Sequence, residues 1–339
     1  MKAATLAIGS RLVGEGQPCL VVAHASTSHE GDADVALRLI EAAFKAGADA
    51  IAFPVFRASE LVARRHPERQ ELEAAELEPR EWRHVLQTAK GSGLLVVAEA
   101  FDTASRDLAL EAGVDAFQTH ATDLDHPELV RALSASGRPL LLGAGAGDES
   151  LVRAALDASG GSVALVLGPA VAPAAPEELR LLDLAARRER YRVPIGLVDA
   201  TDGASAFALV APALAAAHGA DFVEKGLALD RSRKGRDLAA LAPEEFYRMV
   251  ELLRQAERAR GDAYGQEATS ARAAARGRSI VAAGLIGRGD VLTVDRLLFK
   301  RTDERSPRGL SPAEAHRVIG RRAARPIQAD ETIKEDMLE

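Results

Sequence analysis

The sequence predicts a (β/α)8 barrel followed by a small, mostly β module, on three observations. The stretch Cys19 to Phe56 reads as strand, helix, strand, with apolar residues at three-and-four spacing between two apolar runs. Such alternation recurs until eight strand-helix pairs lie between Cys19 and Arg260. The segments AGADAIAF (Ala46–Phe53), AGVDAFQT (Ala112–Thr119) and HGADFVEK (His218–Lys225) repeat one junction, a helix stop running into a strand. Eight such units close naturally into a barrel, and a doubly wound open sheet is the alternative arrangement.

In chain order, Thr5 to Val13 with a Gly14–Gly16 turn reads as a hairpin closing the bottom of the barrel. The first strand, Cys19–Ala23, leads through a polar loop to a helix whose buried face carries Val35, Ala36, Leu39, Ile40, Ala43 and Phe44. Gly47 stops that helix, and the next strand spans Ala50 to Val55. Arg57 to Pro79 reads as a charged connection. Helix Arg80–Lys90, strand Leu94–Ala98, helix Thr103–Ala112, strand Ala116–Thr119, helix Pro127–Ser134 and strand Pro139–Leu142 follow. Helix Glu149–Ala158, strand Val163–Leu167, helix Glu177–Arg188, strand Pro194–Val198, helix Ala204–His218, strand Phe222–Lys225 and helix Glu244–Arg260 complete the series. Residues 261–277 lose apolar periodicity and read as a linker between domain 1–260 and domain 278–339. The last module holds short β-prone runs and one helix, Pro312–Ile319.

At 339 residues the chain is long enough for one large barrel and a smaller partner. A net charge of -7, from 43 basic and 50 acidic residues, argues against a nucleic-acid or membrane surface as the main partner. The single cysteine, Cys19, lies in an apolar run, so no intrachain disulfide forms and a buried structural role is expected. No apolar run reaches membrane-spanning length and the N-terminus lacks a signal core, so a cytoplasmic protein is expected.

Several stretches carry a family resemblance in common order and spacing: SHEGD (Ser28–Asp32), AGADAIAF, AFD (Ala100–Asp102), GRPLLLGAG (Gly137–Gly145), VPIGLVDAT (Val193–Thr201) and FVEKGLALDR (Phe222–Arg231). In the last module RSIVAAGLIGRGDVLT, LLFKRTDERSPRGLSP and VIGRRA continue it. Nearly end to end, the chain resembles the sialic acid synthases and their legionaminate, pseudaminate and spore-coat polysaccharide relatives, whose barrel precedes an antifreeze-like (SAF) domain. The resemblance implies condensation of phosphoenolpyruvate with an N-acylmannosamine-type sugar, assisted by Mn2+ or Mg2+. It also implies a homodimer in which the last module is exchanged between subunits and Arg301 reaches the partner's sugar.

Against that pattern, this chain departs at strand C-termini, where barrel enzymes keep their chemistry. The family's first-strand acid aligns with His24, and the lysine of its VKFQ with Ala52. Ala98 and Glu99 replace the hydroxyls of STPFD, Gln118 and Ala121 a lysine and a serine, and Gly143 and Ala144 the hydroxyls of STG. Both metal-binding histidines are substituted, by Ala200 and Gly226, so no metal or other cofactor is expected. The scaffold reads as kept and the usual reaction as abandoned.

Polar residues expected near the mouth give two readings. In one, His24, His120 and Glu99 are catalytic in a re-made acid-base or metal site. In the other, the rim is vestigial and Glu224 with Lys225 forms a structural ion pair. His29, Asp123, Asp199, Glu224, Lys225 and Arg301 are the candidate substrate-binding residues. The alternative for the His29 loop is a turn and helix cap, with Asp32 or Asp34 at the helix's positive end. The glycines of Gly143–Gly147 before a helix are a weak candidate anion cradle. The functional expectation is a diverged, non-condensing protein that binds a small sugar or sugar phosphate or partners an active paralogue. The alternative is a carbon-carbon bond-forming synthase or lyase.

Overall fold

The computed structural model describes residues 5–145, 147–169, 171–230, 237–260, 277–302 and 309–339. A hairpin, β1 (Thr5–Ile8) and β2 (Arg11–Gly14), precedes eight parallel strands. These are β3 (Leu20–His24), β4 (Ala50–Val55), β5 (Leu95–Ala100), β6 (Ala116–Gln118), β7 (Leu140–Gly143), β8 (Val163–Leu167), β9 (Ile195–Asp199) and β10 (Phe222–Gly226). Each pairs with the next, and β10 returns to β3 with Phe222 opposite Leu20, so the barrel is closed and the open-sheet alternative is excluded.

Strand parity divides the core in two. Leu20, Val22, Ala52, Val97, Ala116, Leu141, Ala164, Val166 and Phe222 fill the interior. Val21, Ile51, Phe53, Val96, Phe117, Leu165, Leu197 and Val223 face the helices. The interior accommodates the Phe222 ring because β9 carries glycine beside it: a Cβ at Gly196 would lie 2.1 Å from the ring. Leu6, Ile8 and Val13 join the interior cluster, so the hairpin plugs the N-terminal end. Its turn is at Gly9–Ser10 rather than at Gly14–Gly16; Gly9 has φ +55° and lies where a Cβ would come within 2.6 Å of Asp115.

The repeated Ala/Val-Asp junction has a physical role. Asp49, Asp115 and Asp221 each use one carboxylate oxygen to accept the amide at the start of a neighbouring strand: Val21 N at 2.8 Å, Val96 N at 2.9 Å and Ile195 N at 2.8 Å. Each is also paired with cations, Asp49 with Arg11 and Arg254, Asp115 with Lys90 and Asp221 with Arg188. These bonds fix adjacent strands in register at the end of the barrel remote from its mouth.

Around the barrel, several elements differ from expectation. Phe44 is 57% exposed although Val35, Ala36, Leu39, Ile40 and Ala43 on the same helix are buried, because it lies at the edge of the stripe. The charged connection contains two short helices, Ala58–Leu61 and Arg69–Ala75, under which Phe56, Ala58 and Ala75 form a small cluster. The predicted helix 177–188 divides into a 3-10 turn, Pro176–Leu179, and helix Leu182–Tyr191; the predicted helix 204–218 divides at Val210, because Pro212 suits only a helix's first turn.

The chain forms two compact units, Met1–Gly261 and Asp262–Glu339. In the second, β11 (Arg278–Ala282) and β12 (Leu297–Arg301) pair antiparallel over a core of Ile280, Ile286, Leu292, Val318, Ile327 and Ile333. The expected helix at 312–319 is a 3-10 turn, Pro312–Glu314, followed by the helical turn Ala315–Val318. Almost all of the expected linker, residues 261–276, and residues 303–308 lie outside the described residues. Among the described residues no helix is long and apolar enough to cross a membrane.

Candidate functional site at the barrel mouth

Four polar side chains close the interior at the C-terminal end of the strands, each in phase with the apolar residues beneath it. His24 continues the Leu20–Val22 row, Glu99 the Leu95–Val97 row, Gln118 follows Ala116 and Glu224 follows Phe222. They meet one another: His24 Nε2 is 3.6 Å from Glu99 Oε2 and 4.0 Å from Glu224 Oε1, and Gln118 Nε2 donates to the other Glu224 oxygen at 2.9 Å. Glu99, Gln118 and Glu224 are all about 5% exposed, while the His24 side chain retains 16%. The sequence thus identified three members of the cluster as candidates; Gln118 was legible only as the replacement of a lysine.

Burial alone pushes the His24 imidazole towards the neutral form, but Glu224 and Glu99 outweigh it and raise the pKa to about 9. Opposing them, Ser26 N–H donates to Nδ1 at 3.1 Å, which suits the ring bearing its proton on Nε2. Burial raises the Glu224 pKa, against the opposing influence of His24. The cluster therefore holds protons near neutrality and can accept hydrogen bonds through its carboxylates.

His120 and Asp123 lie on the turn after β6. His120 Nδ1 is 2.7 Å from Thr122 Oγ1 and caps the turn, while Asp123, raised mainly by burial, senses the charges of His120 and Glu99. Asp237, on the loop after β10, is a site residue that sequence reasoning missed. Its pKa is raised mainly by burial, it interacts with His24, and it accepts from Ala239 N at 3.2 Å. Only the glycine opposite it, Gly226, hinted at its position.

Other expected site residues lie elsewhere. Lys225 and Asp199 have the opposite strand parity to Glu224, facing the helices, and register directly opposite one another on β10 and β9. Both side chains are 0% exposed, with Lys225 Nζ 2.9 Å from Asp199 Oδ2 and donating to Thr201 O at 3.0 Å. Asp199 Oδ1 accepts from Thr201 N at 2.9 Å and from its hydroxyl at 2.6 Å. Consecutive residues on a strand cannot both face the lumen, so Lys225 pairs with Asp199, not Glu224, and neither is on the ligand-facing side. His29 is also corrected: it has 0% exposure, its ring meets Trp82 edge-on at 5.3 Å, and Asp32 beside it caps the following helix. Arg301 is exposed at the end of β12, opposite Arg278.

Burial lowers the His29 pKa to about 4. Its neutral form is favoured by folding, so this contribution is complete above the ordinary 6.5 and is lost as pH falls through 4. Urea unfolding between pH 7 and 4 is expected to show a decline of about 3 kcal/mol from this group. His29→Leu should flatten that part of the profile; an unchanged slope would contradict the assignment.

Neither position aligned with a family metal ligand fits a metal ion. At Gly226 a Cβ would lie 2.6 Å from Asp237 Oδ2 and 3.0 Å from Ala240 Cα, and Ala200 is packed with Ala174 and Ala239. Among the described residues no three His, Cys, Asp or Glu converge to hold an ion. The glycine-rich rim is filled similarly. A Cβ at Gly143 would meet Thr119 O at 2.6 Å, and one at Gly145 would meet Gly168 O at 1.9 Å. Helix Glu149–Ser159 is capped by Asp148, which accepts from Leu151 N, so a carboxylate takes the place an anion would need; Ala146 lies outside the described residues.

A closed barrel of eight parallel strands wrapped by helices defines a (β/α)8 barrel, followed by a small β module. The chain belongs to the NeuB family, whose model matches residues 39–264, and the SAF domain model matches residues 277–339. It is 29% identical to "Uncharacterized protein MJ1065" of Methanocaldococcus jannaschii, over 98% of both chains. It is 27% identical to the N,N'-diacetyllegionaminic acid synthase of Legionella pneumophila, over 94% of both. Among solved structures, the spore coat polysaccharide biosynthesis protein SpsE of Bacillus subtilis aligns with TM-score 0.68 and 25% identity over 99% of both chains. A sialic acid synthetase from Leptospira borgpetersenii aligns with TM-score 0.75 and 23% identity, over 80% of this chain and 95% of that one.

Proposed function

We propose that this protein serves surface-carbohydrate biosynthesis by binding a small, unphosphorylated sugar at the barrel mouth, and that it does not condense phosphoenolpyruvate. The observation that carries this reading is the lumen-facing set of Glu99, Glu224 and His24, with Ala52 and Gln118 where the family has lysines. Among the described residues of the cluster, an incoming phosphate or carboxylate would face two carboxylates without a lysine counter-charge. Like charges about 4 Å apart repel by about 4 kcal/mol at an effective dielectric of ~20. Sugar hydroxyls, by contrast, donate to carboxylates and to an amide oxygen. The same proposal includes a homodimer, read out by sedimentation.

Titration calorimetry with hexoses, hexosamines and their 6-phosphates tests the reading. An unphosphorylated sugar should bind, with affinity at least tenfold weaker in Glu99→Gln, and the matching phosphate should bind less well. Tighter binding of the phosphate, or no sugar binding at all, would overturn it.

A second reading rests on the His24 geometry: an imidazole within 4.0 Å of two carboxylates can move a proton for a carbon-carbon bond-forming or cleaving reaction. It is favoured if a bound sugar is turned over and His24→Asn abolishes turnover while leaving affinity within a fewfold.

A further inference from the structure

We infer that the ligand of this mouth carries a free ammonium group: a cationic amino sugar rather than an N-acylated one. This rests on the proposed sugar site and specifies its chemistry. The decisive atom is Gln118 Oε1. Its own amide nitrogen donates to Glu224 Oε2 at 2.9 Å, which sets the orientation of the side chain. The carboxamide oxygen is then left buried in the cluster without a hydrogen-bond partner, in a residue only 4% exposed. A buried acceptor with no donor costs about 1–3 kcal/mol, which a donor from a ligand would recover.

The groups facing the cluster agree on the sign of that donor. Glu99 comes from β5, Glu224 from β10, Asp123 from the turn after β6 and Asp237 from the loop after β10; His24 and His120 are the bases that answer them. The lysine next to Glu224 in sequence, Lys225, is turned outward and paired with Asp199. Among the described residues, four carboxyl groups face two imidazoles at this mouth, so acidic side chains outnumber basic ones there. An ammonium group has three donors and a positive charge, matching Gln118 Oε1 and the carboxylate oxygens.

The test is titration calorimetry at pH 7.5 with D-mannosamine hydrochloride, N-acetyl-D-mannosamine and D-mannose, repeated in buffers of different ionisation enthalpy. The free amine is expected to bind at least tenfold tighter than the other two, and binding should release protons as the ammonium displaces the His24 proton. Gln118→Leu, which removes the oxygen while leaving Glu99 and Glu224, should lose most of that preference; a melting curve confirms that it is folded. If N-acetylmannosamine or mannose binds as tightly as mannosamine, this inference fails and the sugar site stands. If none of the three binds, both fail.

Discussion

Replacing Lys225 with methionine is expected to lower the unfolding free energy by about 3–5 kcal/mol, the usual consequence of leaving one partner of a buried ion pair alone. Lys225 and Asp199 are each fully enclosed, 2.9 Å apart, between the strand layer and the helices. Truncating the lysine strands a carboxylate in a space water does not reach. The Asp199→Asn/Lys225→Met double variant should regain most of the loss, since it removes both charges. Chemical denaturation of the three variants measures this. A single variant as stable as the wild type would show that the pair is not buried; a double variant no better than the single would show that the charge is not the cause.

The second large effect is on the His24 imidazole. With its pKa raised to about 9 by Glu224 and Glu99 against the effect of burial, this group stabilises the fold fully below the ordinary 6.5. The contribution is lost as pH rises through 9. The shift corresponds to about 3 kcal/mol. An NMR titration of the ring should report a midpoint near 9 in the wild type and a fall of more than two pH units in Glu99→Gln/Glu224→Gln, where both neighbouring charges are gone. A wild-type midpoint near 6.5 would place the carboxylates out of reach of the ring.

The architecture was legible because its signals are local. Helix stripes, glycine stops and the repeated junction between helix and strand each report on a few neighbouring residues. What eluded a reading along the chain depends on parity and on distant loops. Glu224 and Lys225 are adjacent in sequence, yet the pleat sends one into the lumen and the other to the helices. Phe44 sits one position past the buried stripe and is turned to solvent. Asp237 reaches the mouth only because Gly226 has no side chain to exclude it, a relation between a strand end and the loop that follows. The repeated aspartates were visible as a pattern, but their bonds to Val21, Val96 and Ile195 cross between neighbouring strands. For His29, the SHEGD stretch pointed to a ligand or, more often, to a turn and helix cap, and the ring packs on Trp82 in the interior.

Substitution and packing act together at the mouth. At the two positions where the resemblance implies metal-binding imidazoles, the chain has Ala200 and Gly226, and Asp237, Ala240, Ala174 and Ala239 pack around them. Reintroducing a single histidine at Gly226 therefore meets both a carboxylate and backbone. The family's scaffold is retained around a lumen closed by His24, Glu99, Gln118 and Glu224.

Phosphate release from phosphoenolpyruvate in the presence of an N-acylmannosamine and Mn2+ measures the central claim most directly. The account predicts no release above the protein-free rate, in the wild type and in Gly226→His alike. Sustained release, matched mole for mole by a 2-keto sugar acid, would contradict it.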